Sequence, residues 1–228
     1  MRIENKYTFN LINLPTIKKN IHESHLLFSK SYKKRYVNSL YLDSSENSNY
    51  EENLSGLSNR SKARIRWYSK TPFETITNKT NIFFEIKIKK NLYGGKILKK
   101  INIKNDIISG DSYSLINFLR NTLPKEFLPH IDHCSFFTLG VSYERSYYES
   151  FSKQVRLTID ENINFAKINN FNCLNFMETE IINVKYGVLE IKYSQKLNET
   201  MMKTAFDFLD ITKGRHSKYT VGLNLINR

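Results

Sequence analysis

The sequence predicts an antiparallel α+β fold, with a sheet curled into a closed or nearly closed barrel and a few helices beside it. Three observations carry the prediction. Five segments alternate charged and apolar residues with a period of two. Turn signals recur between them at hairpin spacing. Only two or three segments hold apolar residues at helical spacing. The five segments are Arg2-Ile3-Glu4-Asn5-Lys6, Lys62-Ala63-Arg64-Ile65-Arg66, Glu85-Ile86-Lys87-Ile88-Lys89, Arg156-Leu157-Thr158-Ile159-Asp160 and Glu190-Ile191-Lys192. Side chains alternate across a strand, so each segment puts its charges on one face, of both signs in all but the purely cationic Lys62–Arg66, and mostly apolar residues on the other.

Element by element, residues 2–9 read as a strand and Pro15 opens a short helix over residues 16–22. The segment His22–Ser31 fits neither pattern. Tyr36–Leu42 reads as a strand ended by the turn and cap signal Asp43-Ser44-Ser45. A short helix through Tyr50-Glu51-Glu52-Asn53-Leu54 stops at Gly56. Lys62–Ser69 is a strand, Pro72–Thr80 a loop and Ile82–Lys89 a strand; Leu92-Tyr93-Gly94-Gly95 reads as a hairpin turn before Lys96–Ile103 returns. Asp111-Ser112-Tyr113 caps a helix with Leu115, Ile116, Leu119 and Leu123 at helical spacing, and Pro124 and Pro129 break the chain after it. Phe136–Tyr148 and Gln154–Asp160 form a long hairpin, and Ile163–Ile168 offers a further pairing segment. Gly187–Tyr193 is a strand, Asn198–Leu209 a second clear helix, and Gly214–Tyr219 a basic loop before a short tail. The count is about eight strands, with no repeat and no linker, so residues 1–228 are expected to form one domain.

The chain carries 35 Lys and Arg against 22 Asp and Glu, a formal net charge of +13. An excess of that size favours polyanionic partners. Heavy use of Asn, Ile and Lys also fits an AT-rich genome. Cys134 and Cys173 are too few for a disulfide framework and lack metal-ligand spacing, and no apolar run approaches the roughly 20 residues that span a bilayer. The start Met1-Arg2-Ile3-Glu4 shows no signal-peptide pattern, so a cytoplasmic protein is the expectation.

The charged faces admit two readings. A solvated outer face explains any one strand. The set of five, with Lys and Arg at strand centres, argues for a charged concave surface or bore. Two unit charges about 6 Å apart repel by roughly 3 kcal/mol at an effective dielectric near 20, so converging cations are strained until an anion joins them. A chain of phosphates relieves that strain, with Arg offering a planar fork and Lys a point charge. Phosphoryl transfer also needs Mg²⁺ or Mn²⁺ on oxygen ligands. Glu4 and Glu190 are the candidates, each two positions from a lysine, Lys6 and Lys192, on its own face. Simple ion pairing explains the same spacing equally well. Other chemistry lacks support. There is no Walker-type loop, His130 and His133 flank Asp132 beside a proline, Ser142, Ser146 and Ser150 sit in no nucleophile elbow, and Met201 and Met202 read as core.

Taken together, these runs resemble the VTC domain, the polyphosphate polymerase branch of the triphosphate tunnel (CYTH-like) metalloenzymes. The resemblance rests on Arg2-Ile-Glu-Asn-Lys-Tyr7, Ser39-Leu-Tyr-Leu-Asp43, Tyr50-Glu-Glu-Asn-Leu-Ser-Gly56, Arg60-Ser-Lys-Ala-Arg-Ile-Arg-Trp-Tyr68, Phe84-Glu-Ile-Lys87, Gly95-Lys-Ile-Leu-Lys-Lys100, Tyr143-Glu-Arg145, Val155-Arg-Leu-Thr-Ile-Asp160, Val188-Leu-Glu-Ile-Lys192 and Ser217-Lys-Tyr219. It implies an eight-stranded antiparallel tunnel. It implies phosphate contacts from Lys6, Arg64, Arg66, Lys87, Lys99, Arg145, Arg156, Lys192 and Lys218, with Lys6, Arg64, Arg66 and Glu190 closest to the chemistry. Glu190, helped by Glu4, would hold the Mn²⁺ or Mg²⁺, and Arg215 is a further candidate cation. The role of Asp160, second to the metal or in a structural pair, stays open. Hydrolytic relatives tend to begin Glu-x-Glu-x-Lys; here Arg2 stands where they have the first Glu. One carboxylate fewer and one cation more favour holding a long anionic product.

The expected reaction is transfer of the γ-phosphate of ATP or another nucleoside triphosphate to phosphate or polyphosphate. Its partners would be nucleotide and polyphosphate rather than nucleic acid. A triphosphatase using the same tunnel and a non-catalytic polyanion- or nucleic-acid-binding module are the alternatives. A separate membrane partner is left open.

Overall fold

The computed structural model describes residues 2–91, 93–168, 171–177, 179–194, 197, 212–214 and 216–227. In chain order the strands are β1 (Arg2–Asn10), β2 (Ser29–Asp43), β3 (Asn59–Ser69), β4 (Ile82–Lys90), β5 (Tyr93–Ile101), β6 (Phe136–Glu149), β7 (Val155–Lys167), β8 (Ile181–Asn183), β9 (Tyr186–Ser194) and β10 (Thr212–Lys213). The helices are α1 (Leu14–Glu23), α2 (Ser48–Ser55), α3 (Asn105–Ile108), α4 (Ser112–Thr122), α5 (Leu128–His133) and α6 (Lys218–Ile226). Pairing follows the order β10-β1-β9-β7-β6-β2-β3-β4-β5, with β8 beside β7. The class is the expected antiparallel sheet with helices. Nine strands line the path, which ends at β10 and β5 among the described residues, so "barrel" fits it only loosely.

The chain divides into two interleaved compact units: Met1–Arg35, Tyr143–Ile163 and Asn183–His216 form the first, and Tyr36–Ser142, Asn164–Ile182 and Ser217–Arg228 the second. In the first, β1 pairs antiparallel with β9 over its whole length, and β7 pairs with β9 from Val155↔Tyr193 to Asp160↔Val188. Phe9, Leu157, Ile159, Leu189 and Ile191 gather on one face, and α1, begun by Pro15, adds Ile17 and Ile21. Burying each such side chain contributes about 1.5–3 kcal/mol.

The second unit is built on the meander β2-β3-β4-β5. Its core face carries Leu40, Leu42, Ala63, Ile65, Trp67, Phe84 and Ile86, which join Leu115 and Leu119 of α4. Asp111 caps α4, accepting from the Ser114 amide at 2.8 Å. The buried Asp43 carboxylate accepts amide bonds from Ser44, Asn49 and Tyr50 at 2.7–3.0 Å, so the start of α2 is fixed to the end of β2. Gly56, at φ 76°, ends α2 in the left-handed conformation that glycine adopts without strain.

Three expectations change. The ambiguous segment resolves into the end of α1, a turn and an early start of β2 at Ser29. The β4–β5 turn is not at Gly94-Gly95: Lys90 already pairs with Tyr93, both glycines lie in β5, and Asn91 takes φ 54°. Asparagine tolerates that left-handed turn position, which the sequence reading overlooked. The basic loop at Gly214–Tyr219 is cut short by α6, because Ser217 accepts from the Thr220 amide and starts a helix with Tyr219 and Leu223 buried. The helix expected at Asn198–Leu209 lies outside the described residues.

Candidate functional site

In the first unit the face opposite the core is charged. Register sets Glu4 of β1 opposite Lys192 of β9, and Lys6 opposite Glu190. On β7, Arg156 stands opposite Lys192 and Thr158 opposite Glu190. The result is a cross-linked set. Lys6 Nζ lies 3.1 Å from Glu4, and Lys192 Nζ lies 3.7 Å from Glu4 and 2.5 Å from Glu190. Lys6 also donates to the His216 carbonyl at 3.3 Å. Arg145 of β6 forks onto Asp160 of β7 at 2.5 and 2.7 Å, with its Nη2 4.0 Å from Glu190.

The charge states follow. Burial alone would raise the Glu190 carboxyl, but Arg145, Lys6 and Lys192 outweigh it and hold it well below the usual carboxylate range. Burial alone would lower the Lys6 ammonium, yet Glu190 and then Glu4 hold it above its ordinary value. Beside them the buried Thr158 hydroxyl has no hydrogen-bond partner among the described residues, which suits a ligand oxygen or a water.

The second unit has its own charged face, laid out in rows by the β3–β4–β5 register. Lys62, Lys87 and Lys96 stand side by side; the next row is Arg64, Glu85 and Leu98; the third is Arg66, Phe83 and Lys100. Glu85 is the acid of these three rows. Buried at 2% exposure, it accepts from Arg64 Nε and Nη2 at 2.9 and 2.7 Å and from Lys96 at 3.2 Å, with Arg66 Nη1 at 3.5 Å. Burial would raise its carboxyl, but Arg66 and Arg64 bring it down to about 2. Tyr41 accepts from Arg64 Nη1 at 2.9 Å. Burial would raise the Tyr41 phenol, but Arg64, Arg66 and Lys218 hold it below its ordinary value. The Tyr41 ring stacks on Tyr219 of α6 at 4.9 Å, Tyr219 bonds Asp43, and Lys62 donates to Ser217 at 2.7 Å, so α6 is fastened to this face and brings Lys218 with it.

The register therefore gathers Glu4, Lys6, Arg145, Glu190 and Lys192 on one face, and Arg64, Arg66 and Lys87 on another. Two candidates stand apart. Lys99 pairs opposite Phe84, on the face of β5 that carries Ile97 and Ile101, so it points away from Arg64; Lys96 and Lys100 occupy the positions it was expected to fill. Arg156 is on the expected face but is engaged by Glu149 at 2.9 Å and is mostly exposed. Arg215 lies outside the described residues. Sequence reading missed Glu85, Tyr41, Lys62, Lys96 and α6; the Glu85–Lys87 alternation was the available signal for Glu85.

The open choice for Glu4 and Glu190 resolves in part: both carboxylates make lysine ion pairs. Among the described residues no group of three or more acidic, His or Cys side chains gathers to cage a metal. Two hard carboxylate donors on one face still suit Mg²⁺ or Mn²⁺, which bind through one or two carboxylates and take phosphate and water for the rest. Among the described residues no helix is long and apolar enough to cross a membrane.

Comparison with known proteins bears on the fold and the family. The solved structure of HpAC1 from Hippeastrum, provisionally assigned as an adenylyl cyclase and reported to have a dominant triphosphatase activity, superposes with TM-score 0.56 at 15% identity, covering 98% of this chain and 96% of that one. A chain from Vibrio parahaemolyticus, provisionally assigned as an adenylate cyclase, gives TM-score 0.48 at 10% identity over 96% and 97%. No curated protein matches the sequence. The VTC domain family model matches residues 1–227. The chain belongs to the VTC domain family, and it shares its fold with the Hippeastrum protein.

Proposed function

We propose that this protein is a polyphosphate polymerase, moving the γ-phosphate of a nucleoside triphosphate such as ATP onto phosphate or a polyphosphate end. The observation that carries the reading is the row Lys62, Lys87, Lys96 beside the Arg64 and Arg66 row positions. Like charges directly opposite on adjacent strands are unfavourable unless an anion joins them. The row suits a chain of phosphates, with Lys96 shared between that chain and Glu85.

An acceptor phosphate oxygen forms the new bond to the γ-phosphorus as the bond to the bridging oxygen breaks and the nucleoside diphosphate leaves. That oxygen is already anionic, so no strong general base is required. The protein's task is to hold two mutually repelling anions in line and spread the charge on the transferred group. In the second unit Arg64 and Arg66 suit phosphoryl oxygens as planar forks; in the first Arg145 does the same, and Lys6, held protonated by its carboxylates, suits a phosphate on its own face. Lys87 and Lys218 on the charged face of the second unit, and Lys192 on that of the first, would each hold further phosphates. Glu190 and Glu4 would hold the Mn²⁺ or Mg²⁺, which supplies Lewis-acid polarisation of phosphoryl oxygens.

A second reading, triphosphatase, has behind it the activity reported for the Hippeastrum relative. One assay decides. Purified protein with ATP and Mn²⁺ should give a polyphosphate ladder on a gel. Orthophosphate without a ladder would replace the polymerase reading with the second one, and no turnover of any triphosphate would remove both.

A further inference from the structure

We infer that Glu85 is a positioning residue, whose buried carboxylate aims the guanidinium groups of Arg64 and Arg66 at a bound phosphate. This rests on the reading above that the charged face of the second unit takes phosphate.

The geometry argues against two simpler roles. A metal ligand needs lone pairs directed at the metal, but one Glu85 oxygen accepts two bonds from Arg64 with Arg66 beside it, and the other accepts from Lys96. A general base near pH 7 needs a raised pKa, whereas this carboxyl is held low by its cations. The contacts instead define an orientation. Two bonds from one edge of Arg64 to Glu85 and one from Nη1 to Tyr41 fix the plane of its guanidinium. Arg66 is held by the same Glu85 oxygen and by Ser39, to which its Nε donates at 3.4 Å. Both forks are thus set before any ligand arrives, and an anion meeting them loses little in reorganising them.

Position and charge make different predictions for turnover. If Glu85 served only as a counter-charge, removing its charge would tighten anion binding and leave turnover per bound substrate unchanged. If it serves position, binding holds or tightens while turnover falls. The test uses the full chain with Glu85→Gln, which keeps size and an acceptor, and Glu85→Asp, which keeps charge but retracts it. Tripolyphosphate affinity by calorimetry and ATP turnover are both measured, and a denaturation curve reports folding.

We expect Glu85→Gln to bind tripolyphosphate at least as tightly as the wild type while kcat falls at least about tenfold, and Glu85→Asp to recover part of kcat. In an Arg64→Ala background Glu85→Gln should cost less than in the wild type, since only Arg66 is left for it to position. Unchanged kcat in a folded Glu85→Gln protein overturns the inference and leaves the proposed function standing. If Glu85→Gln does not fold, Glu85→Asp decides alone: wild-type kcat there also overturns it. A wild type that neither binds tripolyphosphate nor turns over ATP removes both.

Discussion

Arg145 grips Asp160 with a two-pronged ion pair across β6 and β7, at 2.5 and 2.7 Å, and the carboxylate has no exposure to solvent. Arg145 then reaches to 4.0 Å from Glu190. The pair answers the question left by the sequence in favour of a structural partner: Asp160 holds the arginine, and the arginine helps set the charge of Glu190. Breaking a buried pair by removing one charge leaves the other uncompensated. Asp160→Asn should therefore cost about 3–5 kcal/mol in urea unfolding and lower activity along with stability. A loss under about 1 kcal/mol would mean the pair is solvated and this account of Arg145 is wrong.

Glu85 and Glu190 give a specific pH dependence. Both carboxyls titrate lower in the folded protein than the ordinary value near 4.5, Glu85 at about 2. The unfolded chain therefore takes up their protons first as pH falls. Their contribution is complete above about pH 5 and disappears towards pH 2. For Glu85 it is on the order of 2–3 kcal/mol. Unfolding free energy measured from pH 6 to pH 2.5 should decline along this range, and Glu85→Gln should flatten the decline. A wild-type slope no different from that of Glu85→Gln would contradict the low carboxyl.

The lysine row makes an unusual prediction. Lys87 has Lys62 and Lys96 as its cross-strand neighbours, and their repulsion, offset in part by Glu85 at 3.2 Å from Lys96, weighs on the ligand-free state. Lys87→Thr should raise ligand-free stability by about 0.2–1 kcal/mol and shrink the rise in Tm caused by tripolyphosphate, because that ligand stabilises in proportion to its affinity for the folded state. Added salt should stabilise the wild type more than the variant, since it screens the repulsion. Thermal scans with and without tripolyphosphate check all three. An equal ligand-induced shift in both proteins would take Lys87 out of the binding surface.

Gly187 controls how closely β1 lies on β9. A Cβ there would sit 2.3 Å from Phe9 Cζ, in the stretch where Phe9 and Gly187 are register partners. Gly187→Ala should cost about 1–3 kcal/mol through overpacking, and it should disturb the Lys6–Glu190 register three residues further along β9. Activity should fall with it, measured beside a denaturant curve. Full activity in the variant would mean that β1 absorbs the methyl without moving Lys6.

By itself the sequence determined most of the long strands and which residues share a face within each, because a period of two is a local property; it did not show the short β8 and β10. It also carried the family resemblance, Lys6 with Glu4 on β1, Arg64 with Arg66 on β3, and Glu190 with Lys192 on β9. It did not determine alignment between strands. The β4–β5 turn is set by Asn91, not the two glycines, and this alignment brings Lys96 rather than Lys99 level with Lys87. A slip of one residue turns every side chain to the other face, so this choice was decided by the turn and the partner strand. Only the tertiary structure revealed what each carboxylate serves. Asp43 caps a helix, Asp160 holds Arg145, Glu85 holds Arg64 and Glu190 lies among cations. A carboxylate's role is set by the charges and amides that surround it, and those come from residues far apart in the chain.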